Sequence, residues 1–103
     1  MLFIETPVFT REVVRLLDDE DYALLQLHLA ATPDAGDLVA GTGGLRKLRC
    51  AISGKGKRGG VRVIYFHSTK RREIRLLLIY RKGRKDDLTA TEKTMLRAIN
   101  EQW

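Results

Sequence analysis

The side chains with the clearest capacity for chemistry are cations, and most of them lie in one stretch of the chain. Residues 46–85 contain fifteen Lys or Arg and one acid, Glu73, which is a balance of +14. Residues 1–45 have a balance of −6, and residues 86–103 one of −2. Such segregation raises the free energy of a compact chain through self-repulsion, so a polyanionic ligand is expected to neutralise it. Nucleic acid is therefore the leading candidate for a ligand.

A glycine-rich loop, Gly54–Gly60 (GKGKRGG), lies inside this basic stretch. Its four glycines disfavour a helix, because glycine loses more backbone entropy on ordering than other residues do. We predict a β-hairpin loop whose cations, Lys55, Lys57 and Arg58, contact an anion. The spacing Gly-x-Gly-x-x-Gly also matches a dinucleotide fingerprint, but that fingerprint requires a helix after the loop. Here the segment Val61–Phe66 is typical of a strand.

Alternation along the predicted strands places the other cations. Lys47 and Arg49 share one face of a strand before the loop, and Tyr80 and Lys82 share one face at the end of a later strand. Arg62 follows the loop directly. If these strands pair as a meander, the five side chains gather on one surface beneath the loop.

A surface of this composition could bind and cleave RNA. Arg and Lys neutralise phosphate charge, and Tyr65 and Tyr80 could stack on splayed bases. Cleavage by the 2′-OH of the RNA itself requires a base, stabilisation of the charged phosphorane and an acid for the leaving oxygen. The basic stretch contains only one histidine, His67. A lysine whose pKa is lowered by neighbouring cations is the alternative base.

The predicted elements form one α+β domain over residues 1–103. Met1–Glu5 is a predicted strand, and Thr6 followed by proline is typical of a helix N-terminus. A second helix begins near the acids Asp18–Asp21, and Thr89 or Thr91 caps a last helix. We expect an antiparallel sheet of about four strands, in the order strand, two helices, three strands and helix, with the helices on one face. The predicted apolar stripe of the second helix comprises Tyr22, Leu24, Leu25, Leu27 and Leu29.

The composition also argues against several classes of protein. A single cysteine, Cys50, excludes an internal disulfide, and the absence of a signal-peptide pattern predicts a cytoplasmic protein. No apolar run approaches the roughly twenty residues needed to span a bilayer. His28, Cys50 and His67 lack the spacing of a zinc site. We therefore predict no metal, no cofactor and no membrane partner.

Four motifs occur in order along the chain. They are Gly41–Arg49 (GTGGLRKLR), the Gly54–Gly60 loop, Arg62–Tyr65 (RVIY) and Ile79–Lys82 (IYRK). Together they resemble the RelE/HigB-type toxins of bacterial toxin–antitoxin systems, and most closely the HigB subgroup. The resemblance covers essentially the whole chain. It implies a RelE-like microbial-RNase fold and cleavage of mRNA in the ribosomal decoding site.

The resemblance also implies where the basic active-site positions lie. They fall on Lys47, Arg49, Arg62 and Lys82, and Lys57 is added because of its charge and position. Many relatives use a Tyr or His close to the C-terminus, whereas residues 86–102 contain neither. Proton transfer is thus left to Tyr80 or to a lysine.

The expected site has two groups of residues. An arginine that relatives carry just after the fourth strand has its counterpart here in Arg81 or Arg84. The predicted catalytic residues are Lys57, Arg62, Tyr80 and Lys82, and the predicted RNA-binding residues are Lys47, Arg49, Lys55, Arg58 and Arg81.

The implied partners are mRNA on the ribosome and a neutralising antitoxin. For HigB the antitoxin is usually a HigA-type helix-turn-helix protein, so operator DNA is contacted only through it. We expect an acidic antitoxin segment to cover the basic face or the helices. The alternative function is a non-catalytic RNA- or ribosome-binding module that inhibits translation by occupancy. A DNA-binding regulator is less favoured, because no helix-turn-helix with a cationic recognition helix is evident.

Overall fold

Five strands and three helices make up the part of the chain that the computed structural model describes, residues 1–52, 60–83 and 87–103. The α+β class, with two N-terminal helices and one C-terminal helix, is confirmed. The strands are β1 (Leu2–Glu5), β2 (Asp37–Leu38), β3 (Arg46–Cys50), β4 (Val61–Ser68) and β5 (Glu73–Arg81), and the helices are α1 (Pro7–Leu16), α2 (Asp19–Ala31) and α3 (Ala90–Glu101).

Each helix begins beside a side chain that accepts a hydrogen bond from its first turn. Thr6 Oγ1 accepts a hydrogen bond from the backbone N–H of Phe9 at 3.1 Å. Pro7 follows at the first helical position, where an N–H would have no partner within the helix, so the lack of one costs no hydrogen bond. Asp18 caps α2 in the same way at 2.8 Å. Thr89 and Glu92 form a capping box at the start of α3. These caps confirm the predicted helix starts.

The sheet has the order β1-β5-β4-β3-β2, and its centre is the predicted antiparallel meander of β3, β4 and β5. Two features differ from the prediction. β1 is parallel to β5, so the sheet is mixed, and the short β2 adds a fifth strand where about four were expected. No hairpin connects β1 to β5, so local sequence cannot set the direction of that pair.

The helices pack on both faces of the sheet, whereas one face was predicted. Phe9 of α1 and Leu25 of α2 belong to the core on one face. Leu96 of α3 packs against Ile64 and Leu77 on the other face. β4 and β5 are therefore covered twice, which accounts for their nearly continuous apolar sequences.

α2 buries a narrower stripe than predicted. Leu25 and Leu29 are buried, and the Tyr22 ring lies 6.1 Å from that of Phe9. Leu24 and Leu27, in contrast, are 57% and 66% exposed. Residues two positions apart in a helix differ by about 200° around its axis, so Leu27 points away from the side that carries Leu25.

Tyr65 is buried, which contradicts the prediction that it stacks on bases. Its hydroxyl donates to the Pro33 carbonyl at 2.7 Å and accepts from the Gly36 N–H at 2.9 Å. A Cβ on Gly36 would lie 2.9 Å from both the Lys47 carbonyl oxygen and a Tyr65 ring carbon. The loop before β2 therefore requires glycine at this position.

Candidate nucleic-acid interface

Arg49, Arg62 and Tyr80 stand in one row across three neighbouring strands. Arg49 of β3 pairs with Arg62 of β4, and Arg62 pairs with Tyr80 of β5. Directly opposite residues of antiparallel strands point to the same face, with Cβ atoms about 4.5–5.5 Å apart. Lys47 lies on the same face in the next row, opposite Ile64. The structure thus brings together four of the residues that the sequence predicted to gather.

The row combines like charge with partial burial. Arg49 is exposed and Tyr80 is half-buried, whereas Arg62 is only 8% exposed. Like charges directly opposite each other on paired strands destabilise a sheet, and burial weakens the screening by water and salt. A phosphate group bound at the two guanidinium groups would remove this repulsion and accept bidentate hydrogen bonds.

Lys82 is tied to the same end of the sheet. Its backbone N–H donates to the Gly60 carbonyl at 3.1 Å, and its side chain is exposed. Gly60 has φ +60°, and a Cβ there would lie 2.3 Å from the Cys50 carbonyl oxygen. Glycine at residue 60 thus lets β3 and β4 approach each other beside the row.

The structure places Arg81 away from this row. Alternation along β5 puts Arg81 on the opposite face from Tyr80, and Arg81 lines a groove with Arg15 of α1. Its predicted contact with RNA would therefore require RNA to reach around the edge of the sheet.

The remaining predicted cations, Lys55, Lys57 and Arg58, lie outside the described residues, as does Arg84. Within residues 1–52, 60–83 and 87–103, no group of three or more His, Cys, Asp or Glu is placed to hold a metal ion. No helix in the same ranges has the length and apolarity to cross a membrane.

Comparison with known families gives one assignment. A family model for the RelE toxin of the RelE / RelB toxin-antitoxin system matches residues 9–103, which include the complete candidate row. The chain belongs to this RelE toxin family. RelE-family toxins pair with antitoxins, so an antitoxin is a partner of this toxin. The closer likeness to the HigB subgroup stays a prediction from the four motifs.

Sequence reasoning missed an acid at the edge of the candidate site. Asp87 Oδ1 lies 3.4 Å from Lys47 Nζ and accepts a hydrogen bond from the Leu88 N–H at 3.0 Å. The Leu88 N–H and then Lys47 lower the pKa of Asp87. The signal in the sequence was the pair of acids at positions 86 and 87 that directly follows a run of cations.

The environment of Tyr80 determines the protonation state of its phenol. Burial raises the pKa of Tyr80, and the carboxylates of Asp87 and Glu92 raise it further, while Arg62 acts in the opposite sense. Tyr80 is therefore protonated at neutral pH. It is suited to donate a proton or a hydrogen bond, and it is not suited to act as a phenolate base.

His67 belongs to a different part of the toxin. Its Nδ1 lies 2.9 Å from Asp34 Oδ1, and Arg46 Nε lies 3.6 Å from the same oxygen. His67 is five residues along β4 from Arg62, a separation of roughly 17 Å at a rise of about 3.3 Å per residue. The row of Arg49, Arg62 and Tyr80 accordingly contains no histidine.

Proposed function

We propose that this RelE-family toxin is a ribosome-dependent endoribonuclease that cleaves mRNA in the ribosomal decoding site. The observation that supports this most directly is the cross-strand pair of Arg49 and Arg62. Two guanidinium groups on one face of adjacent strands form a receptor for a dianionic phosphorane, where charge is greater than in the bound substrate. Lys47 extends this receptor along β3.

The reaction that fits this surface is transesterification within the RNA. The 2′-oxygen attacks phosphorus as its proton passes to a base, and the bond from phosphorus to the 5′-oxygen breaks as that oxygen gains a proton. The products are a 2′,3′-cyclic phosphate and a 5′-hydroxyl. Lys57 or Lys82 moves the proton at the 2′-oxygen, and Tyr80, whose pKa is raised by burial, supplies the proton to the leaving oxygen. Arg49 and Arg62 hold the phosphate throughout.

Primer extension on a defined mRNA, with and without programmed ribosomes, tests this proposal. We expect cuts only in the ribosome-bound sample, within the decoding site. Cuts in free RNA would indicate a ribosome-independent ribonuclease, and no cuts despite ribosome binding would support inhibition by occupancy.

A pair of variants tests the site itself. The double variant Arg62→Ala, Lys82→Ala should lose cleavage. The control, Lys70→Ala, Arg71→Ala, removes the same charge from the exposed turn after β4 and should keep it. Since Arg62 is largely buried, circular dichroism of both proteins confirms folding before cleavage is compared. Equal cleavage by the two variants would eliminate this row as the active site.

A further inference from the structure

β5 is longer than the strand that pairs with its outer edge. The last paired residues of β1 and β5 are Glu5 and Leu76. Beyond them Thr6 continues the pairing with two bonds, from its N–H to the Leu76 carbonyl at 3.0 Å and from Oγ1 to the Leu77 carbonyl at 2.8 Å. The chain then turns into α1. Residues 78–81 of β5 thus have no strand beside them on this edge within the described part of the chain.

The register with β4 determines which backbone groups face this open edge. Lys82 N–H donates to the Gly60 carbonyl, and Arg81 is opposite Val61. In an antiparallel ladder this makes Arg62 and Tyr80 the hydrogen-bonded pair. The N–H and C=O of Ile79 and Arg81 consequently point away from β4. No hydrogen bond to these groups occurs among residues 1–52, 60–83 and 87–103.

Two connected grooves follow the open edge. One, of about 520 Å³, lies between Leu78–Arg81 and a side of α1 that includes Glu12, Arg15 and Leu16, and Glu12 forms an ion pair with Arg15 at 3.6 Å. The other, of about 460 Å³, lies toward α3 and is lined almost entirely by apolar groups, including Met95 and Ile99. Both grooves include Val8 and Leu78. Val8, Met95 and Ile99 are 41%, 58% and 44% exposed, so a partner could still bury apolar surface here.

We propose that an extended segment of the antitoxin adds to the edge of β5 as a sixth strand. Its backbone would bond to Ile79 and Arg81, its apolar side chains would enter the grooves, and an Asp or Glu would pair with Arg81. This mode combines main-chain bonds with pockets for alternate side chains. The inference rests on membership of the RelE toxin family, which makes an antitoxin a partner of this chain.

Charge disfavours a second copy of the toxin as the occupant. The chain has a net charge of +6, and Arg81 lines the groove beside the edge, where Glu12 already balances the charge of Arg15. Edge-to-edge pairing of two β5 strands would bring together the Arg81 side chains of two chains that are both positively charged. An acidic and apolar segment has the complementary chemistry.

Amide exchange followed by NMR tests the main-chain bonds. The probe is the cognate antitoxin protein, added to the full-length toxin. We expect exchange at the Ile79 and Arg81 amides to slow at least tenfold in the complex. Unchanged exchange at both amides would overturn the proposal, and so would protection in the toxin alone that grows with its concentration, because a second copy would then cover the edge.

Two pairs of variants test the affinity for the antitoxin by calorimetry. Arg81→Pro removes the side chain and the outward N–H, whereas Arg81→Ala removes only the side chain; a proline at this edge leaves the β4 ladder intact. We expect Arg81→Pro to bind about three- to tenfold more weakly than Arg81→Ala. Equal affinities would contradict the strand.

The second pair separates this inference from the proposed function. Met95→Glu places a charge in the apolar groove and should weaken antitoxin binding at least tenfold while mRNA cleavage is retained. The control Val14→Glu lies on α1 outside both grooves, where Val14 is 75% exposed, and should change neither property. A toxin that binds as expected but cuts no mRNA would refute only the nuclease, and normal binding by Met95→Glu would refute only the docking site.

Discussion

Replacing Arg49 by Gln should stabilise the free toxin and weaken its hold on RNA. Arg49 lies directly opposite Arg62, so removal of its charge relieves a cross-strand repulsion of about 0.2–1 kcal/mol. Within the described residues the Arg49 side chain makes no hydrogen bond or ion pair that the substitution would remove. We therefore expect a higher free energy of unfolding at low salt. In about 1 M salt, where the Debye length is about 3 Å, most of the difference should disappear.

The same substitution removes a charged contact to phosphate in the proposed site. A hydrogen bond to a charged group contributes about 1.5–3 kcal/mol, which corresponds to a loss in cleavage rate of roughly ten- to a hundredfold. Lys70→Gln is the matched control, because it removes one cation from the exposed turn at the other end of β4. It should change cleavage by less than about twofold, since it removes no phosphate contact in this site.

Urea unfolding at low and high salt, together with ribosome-dependent primer extension, measures both effects. Opposite signs for stability and cleavage are the expected result. A variant that is less stable at low salt, or whose gain in stability is independent of salt, would refute the idea of repulsion between the arginines. Cleavage equal to that of Lys70→Gln would refute the phosphate contact.

Three further predictions concern the surroundings of the site. Tyr80→Phe should lower cleavage about 10²- to 10⁴-fold if the phenol is the acid. Because the pKa of Tyr80 is raised in the folded state, the wild type should also lose stability as the pH rises above about 10. Unfolding measured as a function of pH should show a smaller loss for the variant. Arg75→Met should lower the free energy of unfolding in urea by about 3–5 kcal/mol. Glu73 is 5% exposed and accepts a hydrogen bond from Arg75 Nε at 2.8 Å, so it would stay buried without its partner. Adding Glu73→Gln should restore most of that loss, and no restoration would contradict the ion-pair argument. The lowered pKa of Asp87 contributes stability above about pH 4 that is lost as the pH falls through the folded-state pKa. Asp87→Asn should flatten this part of the acid limb, and an unchanged limb would count against the contacts of Asp87 with the Leu88 N–H and Lys47.

The parts of the fold that depend on neighbouring residues were predictable from the sequence. Thr6 and Thr89 cap helices through bonds to their own first turns, so their roles are visible in a few residues. The shared face of Lys47 and Arg49 follows from strand alternation alone. The meander then required only that consecutive strands pair.

The features that sequence reasoning missed depend on contacts between distant segments. The parallel direction of β1 is set against β5, some seventy residues later. Tyr65 has the composition of a base-stacking residue, but a loop before β2 covers its hydroxyl. Asp87 meets Lys47 across forty residues of sequence. Neither periodicity nor charge content contains information about such pairs.

The position of Trp103 gives the toxin a built-in optical probe. Arg75 is stacked between the Phe66 and Trp103 rings, 5.3 Å and 5.1 Å from their centroids, and its guanidinium also donates to the Asn100 side chain of α3 at 3.0 Å. Trp103 is the only tryptophan in the sequence. Its fluorescence therefore reports the seating of α3 on the sheet, while circular dichroism reports all three helices. Coincident unfolding curves from the two signals would indicate that α3 separates from the sheet only when the whole domain unfolds.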